Sequence, residues 1–320
     1  MGSERSEPRV VLNIPADADG HWLELFRVAL PGAQVWRREP GQPADPQATP
    51  ADYVVAYGPC ATLFDEQRRM KAIFNLGAGV RHLLALPNLP RNVPVIRLED
   101  AGMAEQMVRY VLAAALRFVQ RLDVYARQQR EVRWQQHDPR SPSSLDAGVM
   151  GLGVIGEQVA RALAAHGFAV RGYSRSAKDV DCVAVFAGEP RFDAFLDGLD
   201  FLVCVLPATA ATDGILNRRS MSRLADGAHV VNIGRGAALV DDDLIALLDE
   251  GKLSGATLDV FREEPLSSSH PFWRRPEIFV TPHISGLTVP EAAAAQVAGK
   301  IARLERGEPV TGVVALERGY

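Results

Sequence analysis

The sequence predicts an α/β protein built from two doubly wound parallel sheets, and three observations carry that prediction. Short apolar runs alternate with helical patterns through the first hundred residues. The same alternation resumes at Ala147 and continues to Thr281. At the head of the second series stands Gly148-Val149-Met150-Gly151-Leu152-Gly153-Val154-Ile155-Gly156, a strand that runs through a glycine turn into a helix.

In chain order, Arg9–Asn13 reads as a first strand, followed by a helical pattern through Trp22, Leu23, Leu25, Phe26 and Ala29 that stops at Pro31-Gly32. Val35–Arg37 is a second strand. Residues 39–50 hold Pro40, Pro43, Pro46 and Pro50 and form a loop. Tyr53–Ala56 is a short apolar strand, Leu63–Arg69 a helix, and Lys71–Leu76 a strand leading straight into Gly77-Ala78-Gly79-Val80. Met103, Met107, Val111, Ala114, Phe118, Leu122 and Tyr125 recur at threes and fours, which predicts one long helix over 102–127. Its apolar face is either buried between domains or packed on a second subunit. Arg133–Asp146 is polar, contains Pro139 and Pro142, and connects the two series.

In the second series, strands are expected at Ala147–Met150, Ala169–Tyr173, Phe201–Leu206, His229–Ile233, Gly255–Asp259 and Ile278–Thr281. Helices are expected at Gly156–Ala165, near Phe192–Leu196, and at Arg219–Leu224 and Asp241–Glu250. A last helix follows Pro290 and runs through Val297, Ile301 and Leu304 to Gly307. Six strands with crossover helices make a sheet whose ligands sit at the carboxyl ends of its strands.

Composition limits the function classes. The 320 residues are enough for about two domains. With 47% hydrophobic and 23% charged residues and a net charge of −4, the chain is a globular protein with no nucleic-acid-binding charge pattern. No apolar segment reaches membrane-spanning length, and the polar start MGSERSEP, residues 1–8 of which are expected to be disordered, has no signal-peptide core. Cys60, Cys182 and Cys204 have no metal-ligand spacing, so no metal site and a reducing cytoplasm are expected. Cys204, inside an apolar run, reads as a small buried hydrophobe.

In the glycine motif, Gly151 allows the tight turn, Gly153 lets the backbone approach a pyrophosphate, and Gly156 lets the helix pack on its strand, while Val154 and Ile155 open the helix N-terminus toward the phosphates. Asp or Glu usually ends the next strand to bind a ribose 2′-hydroxyl. Here the segment reads Arg171-Gly172-Tyr173-Ser174-Arg175-Ser176, with Lys178 close behind. An acid repels a 2′-phosphate, whereas serine and guanidinium bind one, so NADPH is expected in preference to NAD. Four further strand ends carry chemistry: Leu206-Pro207 with Thr209 and Thr212 following, Ile233-Gly234-Arg235, Asp259 with Glu263-Glu264-Pro265, and Pro282-His283 with Gly286.

On these residues the chain resembles the D-isomer-specific 2-hydroxyacid dehydrogenases. Within that family it is most similar to the glyoxylate/hydroxypyruvate reductase A branch, through Asn75-Leu76-Gly77-Ala78-Gly79-Val80, Arg97-Leu98-Glu99-Asp100, Gly102-Met103-Ala104-Glu105-Gln106-Met107, Ser174-Arg175 and the terminal Glu317-Arg318-Gly319-Tyr320. The resemblance implies that Arg235, Glu264 and His283 are the catalytic residues. Glu264 is preferred over Glu263 because it directly precedes Pro265. Arg235 would grip the carboxylate and ketone of a 2-oxo acid with its planar fork, and His283, backed by Glu264, would donate the proton. Gly77, Ala78 and Gly79 would offer backbone N–H groups to the substrate carboxylate, and Asp259 would bind the nicotinamide amide. Residues 1–98 with 287–320 would form a discontinuous substrate domain and 99–286 a Rossmann-like cofactor domain, hinged near residues 99 and 287. The long helix would build a homodimer.

Two positions depart from the branch. Ala56 stands where tryptophan lines the substrate pocket, leaving room for a bulkier 2-oxo acid unless Tyr57 fills it. Arg81 stands where an acid is usual. The expected activity is therefore NADPH-dependent reduction of glyoxylate, hydroxypyruvate or a bulkier 2-oxo acid to a D-2-hydroxy acid. An NAD-dependent dehydrogenase working oxidatively is the alternative within the class, and a dinucleotide-sensing binding protein is the alternative outside it.

Overall fold

The computed structural model describes residues 7–14, 20–39, 41–57, 61–77 and 79–316. The chain divides into two compact units, Met1–Gly102 with Thr288–Tyr320, and Met103–Leu287. The junctions between these units fall at 102/103 and 287/288.

In the first unit the chain forms β1 (Arg9–Asn13), α1 (His21–Ala29), β2 (Gln34–Arg37), β3 (Tyr53–Ala56), α2 (Ala61–Glu66), β4 (Ala72–Asn75), α3 (Arg81–Leu84) and β5 (Val95–Arg97). The five strands pair in parallel in the order β2-β1-β3-β4-β5. β3 and β4 are buried at every position, which is why they read as unbroken apolar runs rather than alternating ones. The proline-rich loop is tied down by Arg38, whose buried guanidinium pairs with Glu66 at 2.6 Å and donates to the carbonyls of Glu39, Gln42 and Pro43. β5 and α3 were not expected. Three and four residues are too short to develop a period.

The second unit runs α4 (Met103–Val119), α5 (Leu122–Arg130), β6 (Asp146–Met150), α6 (Val154–Ala165), β7 (Ala169–Ser174), β8 (Val183–Ala187), α7 (Phe192–Leu196), β9 (Phe201–Cys204), α8 (Arg218–Met221), β10 (Ala228–Asn232), α9 (Asp241–Asp249), β11 (Leu253–Leu258) and β12 (Ile278–Val280). The chain then returns to the first unit as α10 (Pro290–Glu305) and packs on α1. The sheet of the second unit is parallel, in the order β12-β11-β10-β9-β6-β7-β8. Strand residues alternate between its faces. Ala147, Val149, Phe201, Val203 and Val231 join one core, while Met150, Leu202, Cys204, Val230 and Leu258 join the other.

Two expectations are corrected here. The sheet has seven strands, not six. The missed β8 lies at the edge, where no position is fully buried and the apolar signal is weakest. The single helix over 102–127 is two helices, because Arg121 takes a left-handed φ of 53° and ends the hydrogen-bond ladder between α4 and α5. Its apolar stripe is also already in use. Met107, Val111, Ala114 and Phe118 are buried with Val149, Val203 and Val231 in this unit's own core.

Candidate active site

The order of the second sheet reverses beside β6, with β7 and β8 on one side and β9 to β12 on the other. The crevice at the carboxyl ends of β6 and β9 is where such sheets bind ligands. The glycine motif lies there. Gly151 has φ 106°, and a Cβ on it would meet the Val205 backbone at 3.2 Å, so both the turn and its contact with the β9 end exclude a side chain. A Cβ on Gly156 would stand 1.8 Å from the Gly151 carbonyl oxygen. A Cβ on Gly153, by contrast, would have nothing within 4 Å. Gly153 is the N-cap of α6 and brings no side-chain cap, so the N–H groups of the first turn, from Val154 and Ile155 on, face the open space above it. An uncapped helix end opening on an uncluttered cradle fits a dinucleotide pyrophosphate.

At the end of β7, Ser174 is buried and its hydroxyl donates to the Ser176 carbonyl at 2.6 Å. Ser174 thus shapes the turn, while Arg175, Ser176 and Lys178 are the exposed groups there. The Lys178 ammonium reaches back to the Leu152 carbonyl at 2.5 Å and ties this turn to the glycine loop. Thr212 is likewise a turn former, donating to the Pro207 carbonyl at 2.6 Å beside the half-buried Leu206.

Past β10, the fully buried Asn232 accepts from the Gly234 N–H at 3.1 Å and donates to the Arg235 carbonyl at 3.1 Å. These bonds fix the turn after the buried Ile233 and aim Arg235. Burial pulls the Arg235 guanidinium below the ordinary arginine value and the Glu264 carboxylate pulls it back up. The side chain stays a cation. Past β12, the His283 Nδ1 lies 2.7 Å from the Glu264 carboxylate, whose other oxygen accepts from the Phe261 N–H at 2.9 Å. A carboxylate only accepts, so this contact assigns the proton to Nδ1 and leaves Nε2 for chemistry. Among the described residues Glu264, not Glu263, makes this contact.

Asp259, expected to bind a nicotinamide amide, is fully buried. Its carboxylate accepts from the Thr281 hydroxyl at 2.6 Å and from the Ile284 and Ser285 N–H groups at 2.8 Å each, holding the loop that carries His283. Gly286 closes that loop against α4, where a Cβ would meet Met107 Cγ at 2.7 Å. Asn232, Thr281 and Tyr110 are the residues of this site that sequence reasoning missed. Their hydroxyl and amide groups carry no local motif.

In the first unit, Ala56 is the last residue of β3. It is fully buried between Asn13 of β1 and Asn75 of β4, and the exposed residue at that strand end is Tyr57, whose ring lies over Gly77. The Asn75 amide donates to the Gly77 and Gly79 carbonyls at 2.8 and 3.1 Å and shapes that turn. Ala78, Cys60, residues 1–6, the terminal 317–320 and the Arg81 side chain lie outside the described residues.

A helix N-terminus open to a pyrophosphate, in one unit with an arginine and a carboxylate-backed histidine, defines an NAD(P)-dependent oxidoreductase. The comparisons give its family. The chain belongs to the D-isomer specific 2-hydroxyacid dehydrogenases, and its residues 112–285 match that family's NAD-binding domain. It is 44% identical to the glyoxylate/hydroxypyruvate reductase A of Serratia proteamaculans, over 93% of this chain and 96% of that one. The corresponding Yersinia enterocolitica protein is 42% identical over the same shares. A D-isomer specific 2-hydroxyacid dehydrogenase of Xanthobacter autotrophicus, solved in complex with NADPH and MES, superposes with a TM-score of 0.92 at 36% identity, covering 98% of this chain and 100% of that one. The NADPH-dependent glyoxylate/hydroxypyruvate reductase of Sinorhizobium meliloti, in complex with NADP and sulfate, superposes at 0.89 with 34% identity and the same coverage.

Proposed function

We propose that this chain reduces small 2-oxo acids, glyoxylate and hydroxypyruvate among them, to D-2-hydroxy acids with NADPH. The observation that carries the proposal is the His283–Glu264 contact at 2.7 Å, a proton donor with its tautomer set, in one unit with the buried cation Arg235. Bound NADPH supplies the hydride. Arg235 binds and polarises the substrate with its two-pronged fork. His283 gives the ketone oxygen its proton from Nε2, and the Glu264 carboxylate holds the ring through Nδ1 for that transfer. The 77–79 turn of the first unit keeps the carboxylate-binding role that the resemblance implies.

The lack of an acid at the end of β7, together with the basic Arg175 and Lys178, supports NADPH over NADH, and the two relatives crystallised with NADPH or NADP agree with it. The test is cofactor oxidation against glyoxylate, hydroxypyruvate, pyruvate, phenylpyruvate and 2-oxoisocaproate with each cofactor. Fast turnover of the first two with NADPH is expected, since the buried Ala56 adds no space for a large side chain. Arg175→Ala is expected to raise the KM for NADPH about tenfold and leave that for NADH within about twofold, the loss of one charge-assisted contact to the 2′-phosphate. Tight NADPH binding without turnover of any acid would overturn the reading in favour of a dinucleotide sensor.

We also propose a homodimer in the cytoplasm, formed not by the buried stripe of α4 but by the apolar groups left outside. Trp134 is 99% exposed and Val132 94%, beside a groove of about 630 Å³ along α5. Apolar groups this bare mark a contact surface. Among the described residues no helix is long and apolar enough to cross a membrane. Light scattering is expected to give a dimer for the native chain and a monomer for Trp134→Asp. A native monomer would refute this.

A further inference from the structure

We propose that Tyr110 and Thr281 are positioning residues for His283, a pair of hydroxyls through which helix α4 holds the loop that carries the imidazole. The inference rests on the reading of His283 as the proton donor. It starts from the backbone. His283 has a φ of 55°, a left-handed conformation that a side chain larger than glycine keeps only where its surroundings impose it.

What imposes it here is a connected set of hydrogen bonds. The His283 N–H is shared between the Asp259 carbonyl at 2.9 Å and the Thr281 carbonyl at 3.1 Å. The next two N–H groups, of Ile284 and Ser285, go to the two oxygens of the Asp259 carboxylate. That carboxylate must keep a fixed plane to serve both, yet the last torsion of an aspartate is soft. The Thr281 hydroxyl supplies the third contact, 2.6 Å from Asp259 Oδ1, and lies 2.6 Å from the Tyr110 phenol.

The direction of the chain follows from counting protons. A threonine hydroxyl has one proton and gives it to Asp259, so the Tyr110 phenol is the donor to Thr281. Burial pushes the Tyr110 phenol up to about 12, which keeps that proton in place. Tyr110 stands on α4, whose Met107, Val111 and Ala114 are locked into the core, so the chain begins on a fixed element. Glu264 holds the imidazole ring from one side, and the Tyr110 chain holds its backbone from the other.

Tyr110→Phe removes one oxygen and keeps the ring. It is expected to lower kcat about tenfold, the loss of one buried hydrogen bond, with both KM values within about twofold. In the cofactor-free protein, amide hydrogen exchange at Ile284 and Ser285 should speed up by a similar factor. Thr281→Ser should keep wild-type behaviour, Thr281→Val should match Tyr110→Phe, and the double variant should be no worse than Thr281→Val alone. Unchanged exchange at Ile284 and Ser285 in Tyr110→Phe would overturn the proposal. So would an effect on KM with kcat intact, or a double variant whose losses multiply. If the native protein turns over no 2-oxo acid, the reductase reading fails, and the exchange rates still decide whether the hydroxyl chain holds the loop.

Discussion

Replacing Arg235 with Ala is expected to lower kcat/KM for 2-oxo acid reduction about a thousandfold, while NADPH binding measured by fluorescence titration stays within about threefold. The size follows from what the fork does. Two charge-assisted hydrogen bonds of about 1.5–3 kcal/mol each are lost, and each ~1.4 kcal/mol is tenfold in rate. The guanidinium is also presented from a rigid turn, since Asn232 pins the peptides of Gly234 and Arg235 and the side chain donates to the Gly234 carbonyl at 2.6 Å. Arg235→Lys should recover only about tenfold of the loss, because an ammonium keeps the charge without the planar pair of donors. Wild-type turnover in Arg235→Ala would remove the assignment altogether.

The second large effect concerns the proton. His283→Ala is expected to lower kcat about a thousandfold, within the range that a positioned general acid contributes. Glu264→Gln should cost about tenfold, because its carbonyl oxygen still accepts from Nδ1 but without the charge that strengthens that hydrogen bond. The ordering is the test. A Glu264→Gln enzyme as slow as His283→Ala would mean that the carboxylate does more than orient and stabilise the ring, and a His283→Ala enzyme with native kcat would end its role as proton donor.

Much of this site was legible before any coordinates, and for a physical reason. In a parallel sheet all carboxyl strand ends lie on one edge, so residues just past a strand end share a neighbourhood whatever their separation in sequence. Gly151, Arg235, Glu264 and His283 each follow an apolar run, and that is enough to group them. The preference for Glu264 over Glu263 came from the resemblance, and among the described residues it is Glu264 that lies 2.7 Å from His283 Nδ1. The glycine loop was readable too, because a left-handed turn and a 1.8 Å backbone approach exclude side chains and so fix the residue type.

Other features had no such local signature. The break between α4 and α5 falls at an arginine, with no glycine or proline to announce it. The burial of Ala56 was not readable, because what covers it belongs to neighbouring strands rather than to its own segment. The hydrogen bond from Ser174 to a carbonyl two residues on, which shapes the turn after β7, also has no signature in the sequence.

The sequence by itself therefore determined the two parallel sheets and the glycine turn between β6 and α6, since strand period and glycine spacing are local properties, and it grouped Arg235, Glu264 and His283 as residues past strand ends. Only the tertiary structure decided how those residues are held. Thr281 meets Asp259 across 22 positions and Tyr110 across 171, and a hydrogen bond between distant hydroxyls leaves no pattern in the chain that makes it.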